Sequence, residues 1–308
     1  CEGVGTYQIT TRLGRRESAS TAYLRPALNR PNLEVLSQAH VLQVTFAGRE
    51  ATGVRYRAGS VTHEVRARRE VILSADAINS PQLLMLSGIG PKADLEALGL
   101  DVKHVLPGVG QNLHDHPLVI GPIGYLAEPA LPPRGNVTEV ALFCSSSDEQ
   151  SVPDLEICLV HRAPFGPKFF ESVIKRVQTG QPVANATELV DPHVVLALPG
   201  LVRPLSRGSI RLQSTDPAAH PLVDCNYFGE ASDLERTVDM IEISRQIFAA
   251  KAFAEGLGLV ELSPGPTVTT RDALRQWVIE NIGSYYHFVG TSKMGTDAMA
   301  VVDPTLKV

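Results

Sequence analysis

The sequence predicts an α+β fold, mostly antiparallel sheet with helices packed on it. Three observations predict it. Short runs alternating between apolar and polar residues recur along the first quarter of the chain and again in its middle. Glycines such as Gly48 and Gly59 sit between those runs, where tight turns would reverse the chain. Beyond Ser80 the apolar residues shift to helical spacing in several segments.

The elements follow in order. Asn32–Ser37 is a short, half-apolar strand candidate; His40–Phe46 and Ala51–Arg57 alternate, and Val61–Ala67 and Glu70–Ala75 continue the meander. Ser80–Gly88 then carries a capping hydroxyl, Pro81 at the first helical position and Gly88 just past the end. Pro91–Gly99 repeats the device with Leu95 and Leu98 on one face. The Pro- and Gly-rich stretch from Leu106 to Pro133 marks an irregular excursion and a domain boundary. Further strands are expected over Val137–Cys144, Asp154–Val160, His193–Leu198 and Gly208–Gln213, with a helix over Lys168–Gln178. A longer helix starts at Ser232, where Glu235 completes a capping box, and bears Leu234, Val238, Ile241 and Phe248 on one stripe. Another runs from Thr270 through Leu274, Trp277, Val278 and Ile282 to Gly283.

Composition narrows the class. A chain of 308 residues accommodates about two domains at ~150 residues each. Hydrophobic residues at 44% and charged residues at 20% exclude a disordered or fibrous protein. The net charge of −5, from 28 basic against 33 acidic residues, gives no basic stripe for nucleic acid or an anionic membrane. Cys1, Cys144, Cys158 and Cys225 show no C-x-x-C spacing and are expected as buried thiols. The apolar run Val194–Leu198 ends at Pro199 and Gly200, well short of the ~20 residues that span a bilayer. With no signal peptide either, a cytoplasmic location is expected. The chain opens on Cys1 and closes on Val308 inside a strand-like segment, so it is expected to be cut at both ends.

The most distinctive local text is Ser74-Ala-Asp-Ala-Ile-Asn-Ser-Pro-Gln-Leu-Leu-Met-Leu-Ser-Gly-Ile-Gly-Pro91. Physically it is a strand running into a capped helix and out through a glycine turn. Such a helix start can cradle an anion or cofactor, or serve structure alone. The text resembles the second signature of the glucose-methanol-choline (GMC) oxidoreductases, through Ser80, Pro81, Leu83, Leu84, Ser87, Gly88, Ile89 and Gly90. The resemblance extends along the chain. Ser18–Leu24 with Pro26, Arg30, Asn32 and Leu33 is similar to one family run, and Pro107-Gly-Val-Gly-Gln-Asn-Leu-His-Asp-His-Pro117 to another. Arg203-Pro-Leu-Ser-Arg-Gly-Ser209, Asp216-Pro217 and Asn226-Tyr227 resemble a strand lining the family's substrate domain. Tyr286-His-Phe-Val-Gly-Thr-Ser-Lys-Met-Gly295 resembles the family's Tyr-His-Pro-Val-Gly-Thr-x-Arg-Met-Gly.

The resemblance implies FAD as cofactor and oxidation of the CH–OH group of a small alcohol, with an electron acceptor as second partner. It places His287 at the family's catalytic histidine, and Val41 and Tyr286 among the cofactor contacts. An imidazole, with an ordinary pKa near 6.5, is suited to accept a hydroxyl proton near neutrality. His114-Asp115-His116 has metal-ligand chemistry, but neighbours in an extended segment point opposite ways. The resemblance puts Asp115 and His116 near the flavin instead, and no metal is expected.

The implied architecture is a substrate domain plus an incomplete FAD/NAD(P)-binding-type domain carrying the meander. Residues 1–117 would belong to the flavin domain, 118–284 to the substrate domain, and 285–308 to a segment returning to the flavin domain. Asp76 stands where the family has Gly or Ser, Phe288 where it has Pro, Ser292 where Cys is frequent and Lys293 where it has Arg. A glycine at position 76 would signal positive φ or a close approach, and Asp tolerates the left-handed region better than most residues. No G-x-G-x-x-G is present, and the family's partner to the catalytic histidine would lie past Val308. Two alternatives follow: a fragment that neither binds FAD nor turns over by itself, and a same-fold hydroxynitrile lyase. A hydrolase lacks support, since no G-x-S-x-G occurs.

Overall fold

The computed structural model describes residues 2–130, 138–148, 150–162 and 191–308. Cys1 and the helix expected over Lys168–Gln178 lie outside the described residues. The chain forms two compact units. The first comprises Cys1–Ile9, His116–Leu205 and Phe228–Tyr286, and the second Thr10–Asp115, Ser206–Tyr227 and His287–Val308. Helices and antiparallel sheet dominate, an α+β architecture.

The first unit is built on an eight-stranded sheet. Its path runs Gly3–Thr6, Thr138–Cys144, Leu155–His161, Val194–Leu201, Ile123–Tyr125, Val260–Ser263; off this path Pro117–Val119 pairs with Val194–Leu201, and Ile282–Ser284 pairs with Pro117–Val119. Every pairing in it is antiparallel. Alternation decides its faces. Leu155 and Ile157, with Val195, Ala197 and Leu201, meet Met240 and Phe248 of the helix Ala231–Ala249. Val160, Val194 and Leu196 form a separate cluster with Ile123 and Tyr125. Val194–Leu201 is buried along nearly its whole length, which suits the central strand and explains its unbroken apolar text.

The two helices expected late in the chain form with their stripes facing inward, but the second ends at Glu280, since Ile282–Ser284 pairs with Pro117–Val119 as a strand. Val238 and Ile241 pack with Leu274 and Val278 of the helix Arg271–Glu280 and with Val119. Each such side chain, fully removed from water, stabilises by about 1.5–3 kcal/mol. Thr270 caps the second helix by accepting from Ala273 N at 3.2 Å. The capping box expected at Ser232 does not form: the N-cap is Glu230, with no side-chain cap. Glu235 instead faces the neighbouring helix, accepting from Arg275 Nε at 2.5 Å and from Arg271 Nη2 at 3.0 Å. The Arg275 guanidinium, joined by Arg271, holds its carboxyl below the usual range. Two guanidinium partners outcompete one backbone N–H.

A buried ion triad pins the start of the longer helix. The side chains of Asp154 and Asp233 are 0% exposed and that of Arg236 13%. Arg236 donates to Asp154 Oδ2 at 2.7 Å and to Asp233 Oδ1 at 2.5 Å. Asp154 also accepts from Ser146 N and Oγ, and Asp233 from Leu205 N, so three loops close on one guanidinium.

In the second unit the meander forms as expected: Ala39–Ala47, Glu50–Ala58 and Val61–Arg66 pair antiparallel in sequence order. Its core gathers Leu84, Met85, Ile89, Leu95, Val109, Leu113, Ile210 and Val301. Two expected strands are corrected. Asn32–Ser37 and Glu70–Ala75 carry no strand, because no described strand lies beside either to receive its hydrogen bonds. Leu36 stays 56% and Ile72 76% exposed, while Leu73 packs on the core of this unit.

Candidate active site

The helix expected at Ser80 begins earlier, at Asp76, and runs to Leu86. Asp76 adopts φ 61°, and its Oδ1 accepts from Ile78 N at 2.6 Å and Asn79 N at 3.2 Å. The residue standing in the glycine position therefore takes the glycine conformation and caps its own helix. That helix start offers less to an anion, since a carboxylate already occupies two of its amides. Pro81 sits inside the helix and cannot bond the carbonyl of Ala77. The Thr291 hydroxyl donates to that carbonyl instead. Ser87 closes the element: its Oγ accepts from Val44 N at 2.9 Å and donates to Leu83 O at 2.6 Å, joining meander to helix.

Asp76 gives a test of this reading. Asp76→Ala removes the cap and leaves a β-carbon at positive φ, and should cost about 1–2 kcal/mol. Asp76→Gly loses the cap but relieves the conformation, and should cost only a few tenths. Denaturant midpoints of the two variants should therefore differ in that order; equal losses would refute the φ argument.

Three segments of the second unit braid together around residues 107–115, 206–227 and 287–295. Leu113 and Gly208 exchange backbone bonds, as do His114 and Val289. Gly110 N donates to Thr291 O at 3.0 Å. Gly290 has φ 99°, and a β-carbon there would come within 2.2 Å of Asn112 O, so only glycine lets the strands approach. His114 Nδ1 donates to Asn112 O at 2.6 Å. Burial, with the positive charge of Arg207 second, holds the His114 imidazole below its ordinary pKa. A base whose folded pKa is depressed contributes stability above its unfolded pKa and loses it as pH falls through the folded value. His114→Asn should accordingly flatten the fall in Tm as pH is lowered below about 6.5; an unchanged slope would remove His114 from the account.

The structure distributes the expected site residues unevenly. Asp115, 4% exposed, accepts from the Tyr227 hydroxyl and from His287 N, the latter at 2.9 Å. His287 itself is exposed. Tyr286, in the first unit, is 80% exposed with φ 60°, and its N–H donates to Ser284 Oγ at 2.7 Å. Tyr285 is locked beside it, donating from its hydroxyl to Leu198 O at 3.1 Å and meeting His116 edge-on. Its ring lies over Gly200, where a β-carbon would come within 2.1 Å of it. Val41 stands on the meander opposite Tyr56, apart from the cavity wall described next. Ser206–Tyr227 lies in the second unit with the signature helix.

A cavity of about 1030 Å³ opens in the second unit, with Asp76, Ser80, Phe288, Gly290, Thr291 and Ser292 in its wall. Ser292 Oγ is buried there with no hydrogen-bond partner among the described residues. A buried hydroxyl without a partner costs about 1–3 kcal/mol, so the wall fits a polar group not supplied by these residues. Sequence reasoning missed Tyr227 and Thr291 as supports; both lay in motifs quoted for resemblance, with nothing local to reveal their distant partners. Cys158 is buried as expected, while Cys144 and Cys225 are only half-buried. Among the described residues no three His, Cys, Asp or Glu side chains gather into a candidate metal site. No helix among them is long and apolar enough to cross a membrane.

Comparison with known proteins places this arrangement. The chain is 34% identical to an alcohol dehydrogenase [acceptor] of Pseudomonas putida and 38% identical to an oxygen-dependent choline dehydrogenase of Rhizobium rhizogenes. All of the chain aligns in both cases, and it spans 57% of each relative's length. Among solved structures, pyridoxine 4-oxidase from Mesorbium loti superposes with a TM-score of 0.84 at 27% identity, over 99% of this chain and 57% of that one. A fungal aryl-alcohol oxidase shares the fold with a TM-score of 0.74 at 24% identity, over 100% of this chain and 60% of that one. Two family models, each described as GMC oxidoreductase, match residues 1–118 and 204–308, and between them hold both the signature helix and the His287 segment. The chain belongs to the GMC oxidoreductase family.

Proposed function

We propose that the protein is an FAD-dependent oxidoreductase that oxidises the CH–OH group of a small alcohol, with His287 as the base. The observation that carries this reading is the setting of His287: an exposed imidazole on a backbone fixed by Asp115 and by the His114–Val289 bridge, one residue before the cavity wall begins. Relatives named as alcohol and choline dehydrogenases support the substrate class. In this reading the first unit serves substrate binding, and the second carries flavin-binding parts.

A flavin, when bound, supplies the hydride acceptor. The chain's own residues supply the rest. His287 accepts the hydroxyl proton at an imidazole nitrogen, which leaves the alkoxide able to release hydride. Its exposure lets a substrate reach it, and its fixed backbone limits the search to side-chain rotation. Ser292 would contribute its unpartnered hydroxyl to the flavin, with Val41 and Tyr286 as further contacts.

The test uses the purified protein in its full natural length, reconstituted with FAD. Anaerobic addition of primary alcohols should bleach the oxidised-flavin absorbance with stoichiometric aldehyde. Failure to retain flavin would overturn the proposal, as would cyanohydrin cleavage with the flavin oxidised throughout.

A further inference from the structure

We propose that Asp115 is a positioning residue for His287, clamping the backbone of the base in concert with Tyr227. The inference rests on the reading of His287 given above and extends it to two residues with no assigned role.

The geometry begins with a break in a ladder. Residues on either side of His287 bond to one antiparallel neighbour in registers two residues apart: Tyr285 N donates to His116 O at 3.2 Å, and His114 and Val289 exchange bonds of 2.8 and 3.0 Å. Between these points Tyr286 takes φ 60°. An aromatic residue in the left-handed region is uncommon and persists only where its surroundings fix it. The turn takes the His287 N–H, in phase with those of Tyr285 and Val289, out of the backbone pairing, and Asp115 Oδ1 accepts it, while Ser284 Oγ accepts the neighbouring Tyr286 N–H.

Asp115 is not an incidental surface acceptor. It is 4% exposed, and a buried carboxylate is costly unless its oxygens are bonded. Its two oxygens divide the work, Oδ1 to the His287 amide and Oδ2 to the Tyr227 hydroxyl. Tyr227 is itself flanked by Asn226 at φ 47° and Phe228 at φ 60°, so it too projects from a sharply turned backbone. The clamp therefore fixes the backbone of His287 from a third chain segment.

Such control should appear in turnover more than in binding. In the flavin-reconstituted protein, Asp115→Asn should lower kcat by about 10–100-fold with KM changed less than about threefold, since misplacement near 1 Å can cost about two orders of magnitude. Tyr227→Phe, a milder change that preserves the ring, should lower kcat about 3–10-fold. Added to His287→Ala, Asp115→Asn should cause no further loss, because it acts through the missing side chain. Hydrogen exchange at the His287 amide, read without flavin, should quicken at least about tenfold in Asp115→Asn and less in Tyr227→Phe. Should Asp115→Asn fail to fold, Tyr227→Phe carries the same measurements. The clamp is overturned if His287 exchange and kcat stay within about twofold in both variants, or if Asp115→Asn costs as much with His287 absent as present. Retention of turnover by His287→Ala would overturn the base assignment instead, with the exchange result still deciding the clamp.

Discussion

Replacing His287 by alanine is expected to slow alcohol-driven flavin reduction about 10²–10⁴-fold, the usual worth of a positioned general base. That loss corresponds to about 2.7–5.5 kcal/mol of transition-state stabilisation. Flavin content should be unaffected, since His287 is exposed and its backbone amide is held by Asp115. The acid limb of the kcat/KM profile reports the free enzyme's essential base, so it should vanish in the variant. His287→Gln is the stricter form, keeping a polar side chain of similar reach without a proton acceptor of comparable basicity. A loss below about threefold in both variants, with the acid limb intact, would exclude His287 as the base.

Much of this architecture was legible because it is local. The meander shows in the alternation of His40–Phe46 and Ala51–Arg57 with a glycine at each turn, and the structure pairs these strands antiparallel in sequence order. The central strand shows as the unbroken apolar text of Val194–Leu198. The helix start at Asp76 was not legible, because Ser80-Pro81 is itself good capping text and the true cap depends on a left-handed residue four positions earlier. Ser232 failed as a cap for the opposite reason: tertiary partners at Arg271 and Arg275 claimed Glu235. The site divides the same way. His287 stands out only through the ten-residue motif around it, while its support from Asp115 spans 172 residues and the Tyr227 bond 112. No periodicity or cap rule reaches across such separations.

Arg236→Met is expected to destabilise the first unit by about 3–5 kcal/mol, because it strands two carboxylates away from water. Asp154 and Asp233 are fully buried at their side chains, and the guanidinium is the cation that both contact. Methionine preserves much of the aliphatic stem, so the loss isolates charge and hydrogen bonding from packing. Arg236→Lys keeps the charge but not the planar fork that reaches both carboxylates, and should fall between Met and the native residue. Burial by itself raises the Asp154 pKa, but bonds from Ser146 and Arg236 outweigh it and leave the carboxyl below its ordinary range. A depressed carboxyl contributes stability above its unfolded pKa and loses it as pH falls through the folded value. In Arg236→Met the stranded carboxylates can relieve their burial by taking protons, so the deficit should shrink as pH falls from neutrality toward about 4. Denaturant unfolding of the variants across that range measures both effects. A deficit under about 1 kcal/mol at neutral pH would mean that the triad behaves like a surface pair, and a deficit that grows in acid would mean that the carboxylates are not its source.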